Sequence, residues 1–180
     1  MSRNNWFNML WMQTLWFSAV IGAARGQLWL ASILLIGFVF WEFRPARRVY
    51  GDFQLMLVAV LLGLILDTTW VRLGWLGYTG AWALSESAPL WILFLWAGLA
   101  LTLNHSLAWL QSRLMLAALL GAISSPLSYL AGSRLGAVNI VSESSLWFVG
   151  LGLSWALTLP FLLWLAKHLK HLKKEEKDHV

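Results

Sequence analysis

The 180-residue chain contains no cysteine. That excludes a disulfide framework, a thiolate nucleophile and a cysteine-held metal. Charge is scarce as well: Asp, Glu, Lys and Arg supply 12% of residues, about half the share of a soluble domain. No G-x-G-x-x-G, phosphate-binding loop or H-E-x-x-H occurs, so the common nucleotide and zinc signatures are absent. Neither is there a charged, aromatic-studded groove of the kind that binds nucleic acid. No cofactor and no metal is expected. The first apolar run opens on Arg3 alone and has no clean small-x-small site before a polar mature chain, so a cleaved signal peptide is not expected.

What fills the chain is apolar. Hydrophobic residues make up 59%, mean hydropathy is +0.68, and there are 14 tryptophans. A membrane-crossing helix needs about 20 predominantly apolar residues. Six such runs can be drawn: Trp6–Ala24, Leu28–Phe43, Phe53–Val71, Pro89–Leu110, Leu114–Ala131 and Leu146–Ala166. One small soluble domain cannot bury six helices that are apolar on every face. The expectation is an all-α polytopic membrane protein with about six transmembrane helices and short loops. Residues 1–166 form one integral-membrane domain, and 167–180 form a charged cytoplasmic tail. The segment Gly74–Ser87, with Trp75, Leu76, Tyr78, Trp82 and Leu84, is a candidate interfacial helix.

Charge supplies an orientation. With the amino terminus inside, Arg3, Arg44, Arg47, Arg48, Arg113, Lys167, Lys170, Lys173, Lys174 and Lys177 fall on the cytoplasmic side, and Arg25, Arg72 and Arg134 fall outside. Lys and Arg near helix ends favour the inside, so both termini are expected in the cytoplasm and the basic pI follows from topology. The tail reads as a topology anchor, with docking on anionic headgroups as the alternative. His168 and His171 lack a third ligand for a metal. Most tryptophans read as an interfacial belt, rather than a cofactor platform.

Ionisable groups at membrane depth mark function more often than surface charges do. An outer candidate polar site comprises Arg25, Asp67, Arg72, Glu86, Ser125, Ser128, Tyr129 and Arg134. Asp67 is its sharpest member, acting on a substrate or proton or forming a structural ion pair with Arg25 or Arg72. Ser124, Ser125, Ser128 and Tyr129 flank Pro126, which leaves a backbone carbonyl unpaired. These residues form either a pocket for a headgroup or polar metabolite, or a closely packed kink. An inner cluster comprises Glu42, Asn104 and His105. His105 with Glu42 makes an acid–base pair if their helices adjoin, and Asn104 makes an interhelical hydrogen bond. Gly22 and Gly26 form a G-x-x-x-G close-packing pattern, and Ala117, Gly121 and Ser125 form a line of small residues.

The stretches Asn5–Met12, AARG (Ala23–Gly26), LGLILD (Leu62–Asp67), PLWILFLWAGLALTLNHSLAWL (Pro89–Leu110) and LLGAISSPLSYLAGSRLGAV (Leu119–Val138) give the chain a family likeness. It resembles the bacterial inner-membrane family catalogued as domain of unknown function 2878, over about residues 4–166. Asp67, Asn104, Ser106, Pro126, Ser128 and Tyr129 match that pattern. The resemblance implies a multi-pass inner-membrane protein with no established activity and no catalytic residues to carry over. The family's gene neighbourhoods, which contain fatty-acid or phospholipid-modifying enzymes, hint at an accessory role in membrane lipid modification or homeostasis. The expected partners are membrane lipids, with lipid-modifying enzymes or a second copy as further candidates. A small-molecule or lipid transporter and a lipid-modifying enzyme using the outer polar site are the alternatives. No three-plus-three inverted repeat supports the transporter, and no recognised catalytic motif supports the enzyme.

Overall fold

The computed structural model describes residues 3–80 and 86–178. Its helices are α1 (Arg3–Ala24), α2 (Trp29–Glu42), α3 (Asp52–Arg72), α4 (Leu90–Leu103), α5 (Leu114–Arg134) and α6 (Leu146–Asp178). Two short strands, β1 (Leu76–Tyr78) and β2 (Val138–Ile140), complete the order. The fold class is all-α. Each helix arises from one apolar run, although α5 and α6 carry an internal proline, Pro126 and Pro160.

Within the described residues, α3, α5 and α6 are long and apolar enough to cross a membrane. Helices α2 and α4 are apolar but have 14 residues each, about 21 Å at 1.5 Å per residue. Helix α1 has 22 residues, but Arg3, Asn4, Asn5, Asn8 and Gln13 dilute its hydropathy. Much of the outer surface is as apolar as the core. Phe40, Leu157 and Met115 are 73%, 75% and 86% exposed, as expected of helices that face hydrocarbon.

The connections after α1, α3 and α5 meet at one end of the bundle. There β1 pairs antiparallel with β2, Leu76 opposite Ile140. Two more bonds extend the pairing, Thr79 N to the Ala137 carbonyl and Val141 N to the Trp75 carbonyl. Gly80 and Gly136 lie beside Ala23 and Ala24 at the end of α1. Part of the candidate interfacial helix is therefore a strand: Gly74, at φ +66, turns the chain out of α3, and Trp75 stacks on Trp70 with 5.4 Å between ring centroids. Trp82 and Leu84 lie outside the described residues.

The fourth apolar run is not one helix. It stops at Leu103, turns through Asn104–Leu107 and resumes as a 3-10 helix over Ala108–Ser112. Polar Asn104, His105 and Ser106 capture groups from neighbouring helices here, which competes with continued helix formation. The Gly22–Gly26 pair does not pack two helices. Gln27 N donates to the Gly22 carbonyl at 2.8 Å, and Gly26 takes the left-handed conformation at φ +67. Both glycines belong to the turn that ends α1.

The α5–α6 interface follows the small-residue reading. Ala117, Gly121 and Ser125 are buried, and a side chain at Gly121 would overlap the Trp155 carbonyl. Pro126 leaves the Ala122 carbonyl without its helical donor. Gly152 fits against that carbonyl, where a Cβ would stand 3.0 Å from the oxygen. Ser125 Oγ reaches the Leu151 carbonyl across the interface at 3.4 Å, leaving the proline-freed oxygen to the glycine contact.

Candidate functional site

Three features remain once the packing is accounted for: a buried carboxylate near the strand-capped end, an aromatic cavity beside it, and a polar network at the opposite end.

Asp67 is fully buried on α3. Its Oδ1 accepts from the Tyr78 hydroxyl at 2.6 Å and from the Tyr129 hydroxyl, and its Oδ2 accepts from Trp96 Nε1 at 2.8 Å. Strand β1 supplies the first donor, α5 the second and α4 the third. Gly63, one turn earlier on α3, makes this possible: any side chain there would overlap the Trp96 ring. Every donor is neutral. Burial and, next, the Asp67 charge hold the Tyr78 phenol well above its ordinary range, which keeps it a donor.

The outer polar site is therefore only partly assembled. Asp67 and Tyr129 touch directly, and Ser125 and Ser128 lie nearby on the same helix as Tyr129. Arg25, Arg72, Glu86 and Arg134 are exposed. Among the described residues no arginine lies within ion-pairing distance of Asp67. The expected Asp67–Arg pair is replaced by tyrosines and an indole, because Arg25 and Arg72 sit at helix ends where their long side chains reach outward.

Beside this carboxylate lies a cavity of about 500 Å³. Helix α1 contributes Met12, Gln13, Trp16, Phe17 and Val20, at offsets that share one helical face. Helix α4 contributes Trp91, Ile92, Leu95, Trp96 and Leu99. Helix α5 adds Ser124, Ser125, Leu127, Ser128, Tyr129, Ala131 and Gly132, with Val138 and Trp155 completing the wall. Trp16 Nε1 donates to Ser128 Oγ at 3.1 Å, spanning from α1 to α5. Trp96 and Trp155 stack with centroids 4.7 Å apart, and the buried Trp155 N–H has no acceptor among the described residues. Gln13, Phe17, Ser124 and Leu127 are exposed and form the mouth. Four of the tryptophans thus converge on one cavity, a placement that a belt of interfacial rings does not predict.

The inner network is larger than the sequence suggests. Glu42, fully buried at the end of α2, accepts a bidentate pair from Arg47, Nε to Oε2 at 2.8 Å and Nη2 to Oε1 at 2.9 Å. Asn8 of α1 donates to the same Oε1 at 2.8 Å and to the Leu101 carbonyl at 2.9 Å. Its Oδ1 accepts from the Ser106 hydroxyl and amide. His105 lies between two carboxylates, Nδ1 3.4 Å from Glu42 Oε2 and Nε2 3.5 Å from Asp52 Oδ2. Asp52 also accepts from Val49 N at 2.7 Å and from Asn104 Nδ2 at 2.8 Å. Gln111 Nε2 bridges the Leu103 carbonyl and Asn104 Oδ1, and Lys170 Nζ donates to Gln111 Oε1 at 2.7 Å.

The expected acid–base pair of His105 with Glu42 is thus brought together, and Asn104 makes its interhelical bond. Sequence reasoning missed Asn8, Arg47, Asp52, Gln111 and Lys170 as members. Arg47 and Lys170 were absorbed into the topological charge count, and Asp52 fell just outside the third apolar run, which was drawn from Phe53. Chemically the network satisfies the backbone released where α4 breaks, and it fastens α1, α2, α3, α4 and α6 together. Among the described residues no group of three or more His, Cys, Asp or Glu is arranged to hold a metal.

An all-α bundle with candidate membrane-spanning helices and buried polar networks at both ends is a membrane-protein architecture. Residues 5–161 match the family model described as a protein of unknown function, DUF2878, and the chain belongs to that family. No curated protein and no solved structure matches it.

Proposed function

We propose that this is a multi-pass protein of the bacterial inner membrane that binds a membrane lipid in the cavity between α1 and α5. In this reading it serves membrane lipid modification or homeostasis as an accessory to lipid-modifying enzymes. The observation that carries the reading is the cavity itself: about 500 Å³, within the size range of small-molecule sites, and lined mainly by apolar and aromatic side chains. Its mouth is formed by exposed α1 and α5 residues on an apolar surface, where a ligand would arrive from hydrocarbon. Six crossings with cytoplasmic termini draw support from the gathering of the three odd connections at one end. Ten of the thirteen basic residues belong to the other side.

The test is native extraction with surrounding lipid, followed by mass spectrometry of what stays bound after exchange into detergent. Wild-type protein should retain a lipid that Ser124→Phe, which fills the exposed mouth, does not. Retention equal in both proteins, or a retained profile identical to the bulk membrane, would overturn the reading.

A further inference from the structure

We infer that the cavity selects an uncharged lipid with a flat, carbonyl-bearing ring, an isoprenoid quinone in chemical class. The inference rests on the lipid-binding reading above and narrows it.

The first observation is an absence of charge on the wall. Every residue lining the cavity is neutral. A phosphate or a free fatty-acid carboxylate placed there would lose its hydration with no Lys or Arg to compensate, which is a severe cost at membrane depth. The buried Asp67 carboxyl stands behind Trp96 and Tyr129, whose donors it already occupies, and it supplies no positive charge to an anionic headgroup.

The second observation is the supply of donors. Ser128 Oγ accepts the Trp16 indole N–H, so its own hydroxyl hydrogen remains to be given. Gln13 stands at the mouth with an exposed amide. A pure hydrocarbon would leave these donors unpaired, whereas carbonyl oxygens would accept from them. The third observation is shape. The indoles of Trp16, Trp91, Trp96 and Trp155 with the Tyr129 phenol surround the space, and aromatic walls favour a planar ring in offset or edge contact. An apolar tail would leave through the mouth between Phe17 and Leu127.

Quinones quench indole emission on contact, so binding can be read from the protein's own fluorescence. The full chain in mild detergent is titrated with a decyl-substituted benzoquinone, and separately with a phosphatidylglycerol and with oleate. Saturable quenching by the quinone is expected, absent with the other two. Ser128→Ala keeps every tryptophan and should weaken binding about fivefold, the share of one hydrogen bond. Ser124→Phe should abolish saturation, and Ser142→Phe, outside the cavity, should change nothing. If either charged lipid displaces the quinone or is retained at the cavity in its place, the quinone inference falls and the lipid-binding reading stands. If no lipid is retained and no quenching saturates, both fall. Quenching that Ser124→Phe leaves intact also overturns the inference, because the ring then binds elsewhere.

Discussion

Gly63 and Asp67 stand one turn apart on α3 and serve the same indole. The glycine leaves the space that the Trp96 ring fills, and the aspartate accepts its N–H at 2.8 Å. Neither residue explains its position alone. Gly63→Ala should destabilise the protein by about 1–3 kcal/mol through overpacking. If the glycine makes room for this ring, Gly63→Ala and Trp96→Leu together should lose clearly less than the sum of the single losses. Detergent-unfolding midpoints of the four proteins measure this, and strict additivity would show that Gly63 and Trp96 are unconnected.

Asp67→Asn should cost about 1–3 kcal/mol, because an amide offers one acceptor oxygen to three donors and points two hydrogens at them. Tyr129→Phe should cost less, since it removes a donor and leaves the carboxylate two others. Equal losses would mean that the carboxylate is not the centre of the arrangement. The comparison is made on folded protein by unfolding in a graded sodium dodecyl sulfate series.

The Tyr78 phenol gives a pH signature. The folded state raises its pKa, so the native protein keeps a proton that the unfolded chain gives up near pH 10. The stability this contributes is full below that pH and is lost as pH rises through the folded-state value. Wild-type melting temperature should therefore fall more steeply above pH 10 than that of Tyr78→Phe. Parallel curves would contradict the burial of the phenol beside Asp67.

At the other end, Glu42→Gln leaves the Arg47 guanidinium buried without its bidentate partner. Loss of one member of a buried pair costs about 3–5 kcal/mol. Arg47→Met paired with Glu42→Gln should recover part of that loss. Stability of the single and double variants decides it, and a double variant no better than Glu42→Gln would mean that Asn8 and His105 are the carboxylate's main partners.

Orientation can be read without background, because the chain has no cysteine of its own. Ser142→Cys, beside β2, should react with a membrane-impermeant maleimide in intact cells. Ser112→Cys, at the end of the 3-10 helix that precedes α5, should react only after the membrane is opened. The reverse pattern would invert the topology.

The helical segments were legible because apolar runs of 16 to 22 residues with polar flanks admit few other readings. The break after Leu103 was not, since Asn104, His105 and Ser106 leave the helix only when Asp52, Glu42 and Asn8 are there to receive them. The inner pair of His105 with Glu42 could be guessed from chemistry at matching depth. The outer site could be guessed only in part. Asp67 and Tyr129 were visible as members of one polar site, but Tyr78 was assigned to an interfacial segment and Trp96 was counted with the tryptophan belt, so two of the three partners were not seen. Opposite charge suggested arginine, and the geometry supplied phenols and an indole instead.

The pairing of β1 with β2 also has a consequence in time. Leu76 has no partner until Ile140 has been made, and chains are synthesised from the amino terminus. The turn between α3 and α4 must therefore wait, unclipped, while α4 and the whole of α5 are added. The strand-capped end closes late in assembly, and the aromatic cavity beneath it has its full set of walls only after α6 has delivered Trp155.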